Sequence, residues 1–107
     1  MKMKVKRLRK IKVNCYTFTI KWSPQHNGGY FHYGDREIEI GTKDQSEDEL
    51  FMVVCHELME IVAREMNVRL RRPDCDSDYL FVYDHRQHET MMNMFSSLIS
   101  QFIDCGR

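Results

Sequence analysis

Apolar and polar residues alternate with a period of two in the first part of the chain, which is the pattern of half-buried β-strands. Isoleucine and valine alternate with lysines at residues 10–13. After a change of register at residues 14–15, aromatic and aliphatic residues alternate with threonines at residues 16–20. We therefore expect two short strands joined by a turn. A loop of turn-forming residues follows, and the same alternation then predicts strands at residues 30–33 and 37–40.

The pattern becomes helical at Ser46. Ser46 and Glu49 have the spacing of a capping box, in which each side chain hydrogen-bonds the backbone of the other residue. Between residues 50 and 63 only three residues are polar, namely His56, Glu57 and Glu60. A helix that is apolar on nearly every side is usually buried. Polar side chains in such a helix must be paired or bound to a metal.

A second helix is predicted at the C-terminal end of the chain. The first helix should end near residue 66 or 67, and Pro73 prevents any continuation. A loop at residues 73–78 and a short β-prone run at residues 79–83 come next. Asp84 is a good N-cap for a helix that runs through Asp104 and is followed by a glycine.

One side of this second helix is mostly apolar and is expected to face the core. Its residues recur at steps of three and four positions. They are His85, His88, Met92, Phe95, Leu98, Ile99 and Phe102. This pattern predicts that His88 and His85 extend the core face toward the start of the helix.

Together these elements predict an α+β fold. A small antiparallel sheet of about three strands should pack on the helix that begins at Ser46 and on the C-terminal helix. A chain of 107 residues is one domain. We place this domain at residues 10–107 and a basic N-terminal arm at residues 1–9.

The charge is balanced overall but uneven along the chain. The formal net charge is zero, so the chain as a whole is not a binder of polyanions. Residues 2–12, however, carry seven lysines and arginines and no acid. These residues are either a solvated arm that leads into the first strand or a contact for nucleic acid or phosphate. As a solvated arm, residues 1–8 could be deleted without loss of the fold.

Neither a secretion signal nor a membrane span is expected. No apolar run follows the basic residues, and no segment reaches the ~18 apolar residues of a membrane helix. We therefore expect a cytoplasmic protein that does not enter a membrane. The four cysteines form no short ligand pair; they are Cys15, Cys55, Cys75 and Cys105.

The polar residues of the first helix have the spacing of a metal site. His56 and Glu60 lie roughly 40° apart on one helix face, with Glu57 beside them. A His and a Glu at positions i and i+4 can hold one zinc ion, and Glu57 is then free to act as a base. The alternative is a buried polar network that is satisfied without metal.

A catalytic zinc site needs three protein ligands and one open position. The second helix offers His85, His88 and Glu89 as the third ligand. We expect His88 first, because it lies on the core face, and His85 next. The ligand set would then be two histidines and one glutamate.

The order of elements and the motif His56-Glu57-Leu58-Met59-Glu60 resemble the minimal gluzincin-like metallopeptidase domains of bacteriophages and prophages. The resemblance covers about residues 10–104. The family motif is His-Glu-x-x-His, so this chain has a glutamate in place of the second histidine. The resemblance implies that His56 and Glu60 bind zinc, that Glu57 is the general base, and that the third ligand falls near His88 or Glu89. It also implies the interior of a host cell as the location.

The resemblance predicts a zinc-dependent metallopeptidase-like hydrolase that acts on a peptide or protein. Zinc would polarise a water molecule, Glu57 would accept its proton, and Tyr79 or Tyr83 would donate to the oxyanion. Activity should be weak or highly selective, with none on casein-like substrates. The alternative is a non-catalytic binding or accessory module that keeps the fold, with or without a structural metal. A third hypothesis is a nucleic-acid-associated protein that uses the basic N-terminus.

Overall fold

The protein has the α+β fold that the sequence predicts. The computed structural model describes residues 3–72 and 75–104. The strands and helices in these ranges are β1 (Lys4–Val5), β2 (Lys10–Val13), β3 (Tyr16–Ser23), β4 (Gly29–His32), β5 (Glu37–Gly41), α1 (Glu47–Glu65), β6 (Arg69–Arg72), β7 (Cys75–Phe81), α2 (His85–Ile99) and β8 (Ile103–Asp104). A short 3₁₀ turn, Ser100–Phe102, connects α2 to β8.

The main sheet has four strands in the order β2-β3-β5-β4. They fall on the four predicted strand segments, whereas the fold prediction counts about three strands in an antiparallel sheet. β3 and β5 are parallel, whereas the other pairs are antiparallel, so the sheet is mixed. β5 takes the place between β3 and β4, and its inward residues Ile38 and Ile40 are almost completely buried. Hydrophobic alternation shows which residues face inward, but it does not show which strands are neighbours. The parallel pairing of β3 with β5 could therefore not be predicted from it.

The end of β5 passes very close to the loop that follows β3. The amide of Gly41 donates to the carbonyl of Gly28 at 2.7 Å. A Cβ at position 41 would lie 2.5 Å from the His26 carbonyl oxygen, which is too close for any side chain. Gly41 therefore lets the chain cross this loop before α1 begins.

Helix α1 begins and ends where the sequence predicts. The Ser46 hydroxyl accepts from the Glu49 amide at 3.1 Å, and the Glu49 carboxylate accepts from the Ser46 amide at 3.0 Å. Met66 is the C-cap, and Asn67 follows in the left-handed region with φ of 56°. Asparagine tolerates this conformation better than most residues, so the chain can reverse at once.

The sequence predicts that helix α1 is buried on nearly every side, but one of its faces is exposed to solvent. Leu50, Val54 and Leu58 face the core, but Met52 is 68% exposed. His56, one turn later, is on the exposed side as well. Because the His56 side chain is exposed to water, it needs no hydrogen-bonding or metal partner to offset a cost of burial.

Helix α2 begins with the predicted Asp84 cap but ends at Ile99, not at Asp104. Its buried residues are Met91, Leu98 and Ile99, whereas His85, His88 and Met92 are exposed. The predicted core face is therefore wrong for the first turns of the helix, where α2 extends beyond the core. Residues 103–104 leave the helix because they pair with β1 as strand β8.

The N-terminal residues that the structure describes contact the rest of the molecule. Val5 is buried, and its amide donates to Glu47 Oε1 at 2.8 Å. The Lys6 amide donates to the Phe102 carbonyl at 2.7 Å. Residues 4–6 thus belong to the fold and differ from the expected solvated arm.

After α1 the chain forms a hairpin of β6 and β7. The predicted loop at residues 73–78 is in part strand, because β7 already begins at Cys75. Residues 73–74 lie outside the described residues. No helix in the described part of the chain is long and apolar enough to cross a membrane.

Candidate functional site

His56 and Glu60 lie side by side on α1, as their spacing predicts. His56 Nε2 is 3.8 Å from Glu60 Oε1. Two zinc bonds of about 2 Å each can bridge such a distance. The His56 side chain is 69% exposed and that of Glu60 is 22% exposed. The pair therefore offers two donors, one of them at the surface.

Glu57 faces a different direction, toward the sheet. It is buried at 6% exposure and packs among apolar core residues, with its Oε2 directly beside Gly29 of β4. Burial raises the pKa of Glu57, and this is the largest influence on it. His56 and Arg69 lower that pKa, whereas Glu60 raises it. A carboxyl group whose pKa is raised by burial has the property that a general base requires.

Glu60 has a cationic partner that the sequence analysis missed. Arg69 Nε lies 3.2 Å from Glu60 Oε2, and the Arg69 side chain is only 16% exposed. The two buried atoms face each other as an ion pair, without an aligned hydrogen bond among the described residues. The Arg69 guanidinium also lies over the Tyr79 ring, 3.8 Å from its centroid. Nine positions and a helix end separate Arg69 from Glu60, so no local spacing rule could find this pair.

The second helix does not bring its histidines to this pair. The His88 ring stacks on Tyr83 with centroids 5.9 Å apart. His85 Nε2 lies 3.7 Å from Glu89 Oε1, and both side chains are highly exposed. Among the side chains that the structure describes, which leave out Cys75 and Asp76, no three from His, Cys, Asp or Glu are placed to hold a metal ion.

The described residues therefore do not fit a catalytic zinc centre. Such a centre needs three protein donors, and here only His56 and Glu60 come together. One of these two donors is already paired with Arg69. Zinc binding by His56, Glu60 and one of His85, His88 or Glu89 stays a prediction.

A cavity of about 320 Å³ opens beside the pair. Most of its lining is apolar, with His56 and Glu60 at the polar part. The lining residues are His56, Met59, Glu60, Ala63, Phe81, Tyr83 and Met91. Of the two tyrosines predicted to donate to an oxyanion, Tyr83 lines this cavity and Tyr79 lies against Arg69.

Exposed apolar side chains are concentrated in the hairpin, in α2 and in the segment between them, and two of them, Phe81 and Tyr83, line this cavity. Eight large hydrophobic residues are exposed in the described part of the chain, and six of them belong to the hairpin, to α2 or to the segment between them. These six are Leu70, Leu80, Phe81, Val82, Tyr83 and Met92. Of these six, Phe81 and Tyr83 line the cavity, whereas Leu70 and Leu80 are paired on the other face of the hairpin. We call the cavity with Phe81 and Tyr83 the apolar groove. A concentration of this kind marks an interaction site more often than scattered surface residues do.

The remaining sequence hypotheses concern the basic residues and the cysteines. Arg7 pairs with Glu47 at 3.1 Å, lies over the Trp22 ring and donates to the Val5 carbonyl at 2.6 Å, so these three contacts are all internal. Nucleic-acid binding by the N-terminus stays a prediction. Cys55 is partly buried, and burial raises the pKa of its thiol.

Comparisons with models of protein families, with curated proteins and with solved structures give no match. The resemblance to gluzincin-like domains over residues 10–104 therefore stays a prediction. The function proposed for this chain rests on its own geometry.

Proposed function

We propose that the protein is a non-catalytic binding module whose apolar groove holds an apolar segment of a partner protein. The observation that supports this most strongly is the groove itself. Its cavity is large enough for one or two side chains, and its lining includes two exposed aromatic residues, Phe81 and Tyr83.

The chemistry of the lining indicates what the groove would accept. Met59 and Met91 contribute flexible, polarisable side chains that adapt to the shape of an apolar ligand. Phe81 and Tyr83 contribute aromatic rings, which are common anchors at protein interfaces. The negative charge of Glu60 is balanced by Arg69, so the polar part of the cavity does not demand a charged ligand.

Replacing Phe81 by Ser should weaken binding of an apolar peptide by roughly 30-fold, because an aromatic anchor contributes about 2 kcal/mol. The probe is a peptide selected from a displayed random library on the purified protein. We expect the selected sequences to be enriched in Leu, Phe and Met. Fluorescence anisotropy with the labelled peptide would measure the affinity.

Tyr30→Ser is the matched control, because Tyr30 is an exposed aromatic residue on β4 that does not line the cavity. The affinity of Tyr30→Ser for the selected peptide should equal that of wild type. Equal losses in both variants, or a library without enrichment of apolar residues, would refute the proposed groove. Self-association that Phe81→Ser abolishes, measured by sedimentation, would instead identify a second copy as the occupant.

A zinc-dependent peptidase-like activity is the second candidate function. It is favoured by the 3.8 Å approach of His56 to Glu60 and by the raised pKa of Glu57. The sequence predicts Glu57 as the general base of this function, and a base works best when its pKa lies near the working pH. Glu57 would have to turn from the sheet toward the His56–Glu60 pair to act there. The function also requires a third zinc donor, which the sequence places at His85, His88 or Glu89.

The two candidate functions predict different results for Glu57→Gln. The variant keeps the size of the side chain but removes the base. The peptidase predicts that zinc-supplied wild type cleaves members of a mixed peptide library and that Glu57→Gln does not. If the protein is a binding module, wild type and Glu57→Gln should show the same background level of peptide cleavage. Mass spectrometry of the library after incubation would give the answer.

A further inference from the structure

Glu60 has a positive charge beside it without any metal ion. Its Oε1 faces His56 at 3.8 Å, and its Oε2 faces Arg69 Nε at 3.2 Å. We propose that Arg69 is a built-in cation that takes the place of a metal ion at Glu60, so that the cluster of His56, Glu60 and Arg69 is complete without zinc. This inference concerns the charge balance of the cluster and does not depend on what the apolar groove binds.

The backbone carries Arg69 to this position. The left-handed residue Asn67 reverses the chain directly after α1, and the Val68 amide donates to the Ala63 carbonyl at 3.1 Å. The first residue of β6 therefore returns alongside the helix and reaches Glu60, about one and a half turns before the helix end.

The hairpin then fixes the guanidinium. Arg71 pairs with Tyr79 in the register of β6 and β7, so Tyr79 is the diagonal neighbour of Arg69. Its ring lies 3.8 Å from the guanidinium carbon. Arg69 is thus held between an aromatic face and a carboxylate, and both are groups that favour a guanidinium.

This arrangement opposes metal binding. An arginine side chain keeps its charge at all working pH values. A divalent ion bound by His56 and Glu60 would lie close to this charge. Glu60 and Arg69 are mostly shielded from water, which strengthens the repulsion between the ion and the guanidinium. Such an ion would use Oε1 of the carboxylate whose Oε2 already faces Arg69, so one negative charge would be shared between two cations.

The test is the affinity for Zn²⁺, measured by competition with a chromophoric chelator. Arg69→Gln should bind Zn²⁺ about tenfold more tightly than wild type, or more, because it removes the competing charge. Arg69→Lys keeps the charge and should resemble wild type. Arg64→Gln is the matched control, since Arg64 also lies over a tyrosine ring but on Tyr33, away from the cluster.

A second variant separates the cluster from the cysteines, which could also bind zinc. In the double variant His56→Ala/Arg69→Gln the gain in affinity should disappear. A gain that persists without His56 would overturn the proposal, and so would equal affinities of Arg69→Gln and wild type. Tight, stoichiometric zinc binding by wild type through His56 would overturn it as well.

Loss of Arg69 leaves the partly buried Glu60 without a cation, so Arg69→Gln can be unstable. In that case Zn²⁺ should restore its fold, seen as a zinc-dependent rise in the melting temperature that wild type does not show. Glu60→Gln/Arg69→Gln should be more stable than Arg69→Gln without zinc. If neither zinc nor the second substitution restores stability, Arg69 does not act as the counter-charge of Glu60.

Discussion

Deleting residues 1–8 should lower the free energy of unfolding by about 3 kcal/mol or more. The deletion removes the buried side chain of Val5, which stabilises the fold by about 1.5–3 kcal/mol. It also removes the hydrogen bonds from Val5 to Glu47 and from Lys6 to Phe102, each of which contributes about 1 kcal/mol. Urea unfolding monitored by circular dichroism would measure the change.

The control for this deletion changes the charges and keeps the backbone. Lys4→Gln/Lys6→Gln leaves β1 and its hydrogen bonds in place, and both side chains are exposed. Its stability should stay within about 0.5 kcal/mol of wild type. A deletion variant as stable as this control would mean that the N-terminus is a solvated arm after all.

Phe18→Ala should destabilise the protein by about 3–5 kcal/mol, which is the usual cost of removing a buried phenylalanine ring. Phe18 has no exposed surface. Its ring contacts those of Phe31 and Tyr33, with centroids 5.9 Å and 6.0 Å away, and these two rings contact each other at 5.4 Å. The cavity left by Ala would therefore open in the middle of an aromatic cluster.

Tyr30→Ala is the comparison for Phe18→Ala, because Tyr30 lies on the same sheet but is 58% exposed. Its effect should be small, within about 0.5 kcal/mol. The same urea titration serves both variants. A cost below 1 kcal/mol for Phe18→Ala would show that the ring cluster is not packed as described.

The local features of the fold were predictable because they are encoded by neighbouring residues. The capping boxes of α1 and α2 depend on residues three positions apart, and both are present. The turn between β2 and β3 is also where the sequence predicts it, with Asn14 in the left-handed region at φ of 55°. Such features need no knowledge of distant contacts.

The remaining features depend on partners that are far apart in sequence. Ile103 and Asp104 continue the helical pattern but pair with β1, so tertiary contact overrides local propensity. The pairing of Arg69 with Glu60 depends on where the hairpin packs after a helix end. For the candidate site, spacing predicted that His56 and Glu60 are neighbours, but it gave no sign that His56 is exposed or that Glu60 already has a cation.

The pairing of β1 with β8 has a consequence for how the chain folds. It joins Val5 to Ile103, two residues that lie near opposite ends of the described chain. Because synthesis proceeds from the N-terminus, Val5 leaves the ribosome long before its partner strand exists. Contacts between such distant segments slow folding, since a long loop must close before they form. β1 therefore remains without its partner strand until β8 has been synthesised, and only then can its docking beside α1 be completed.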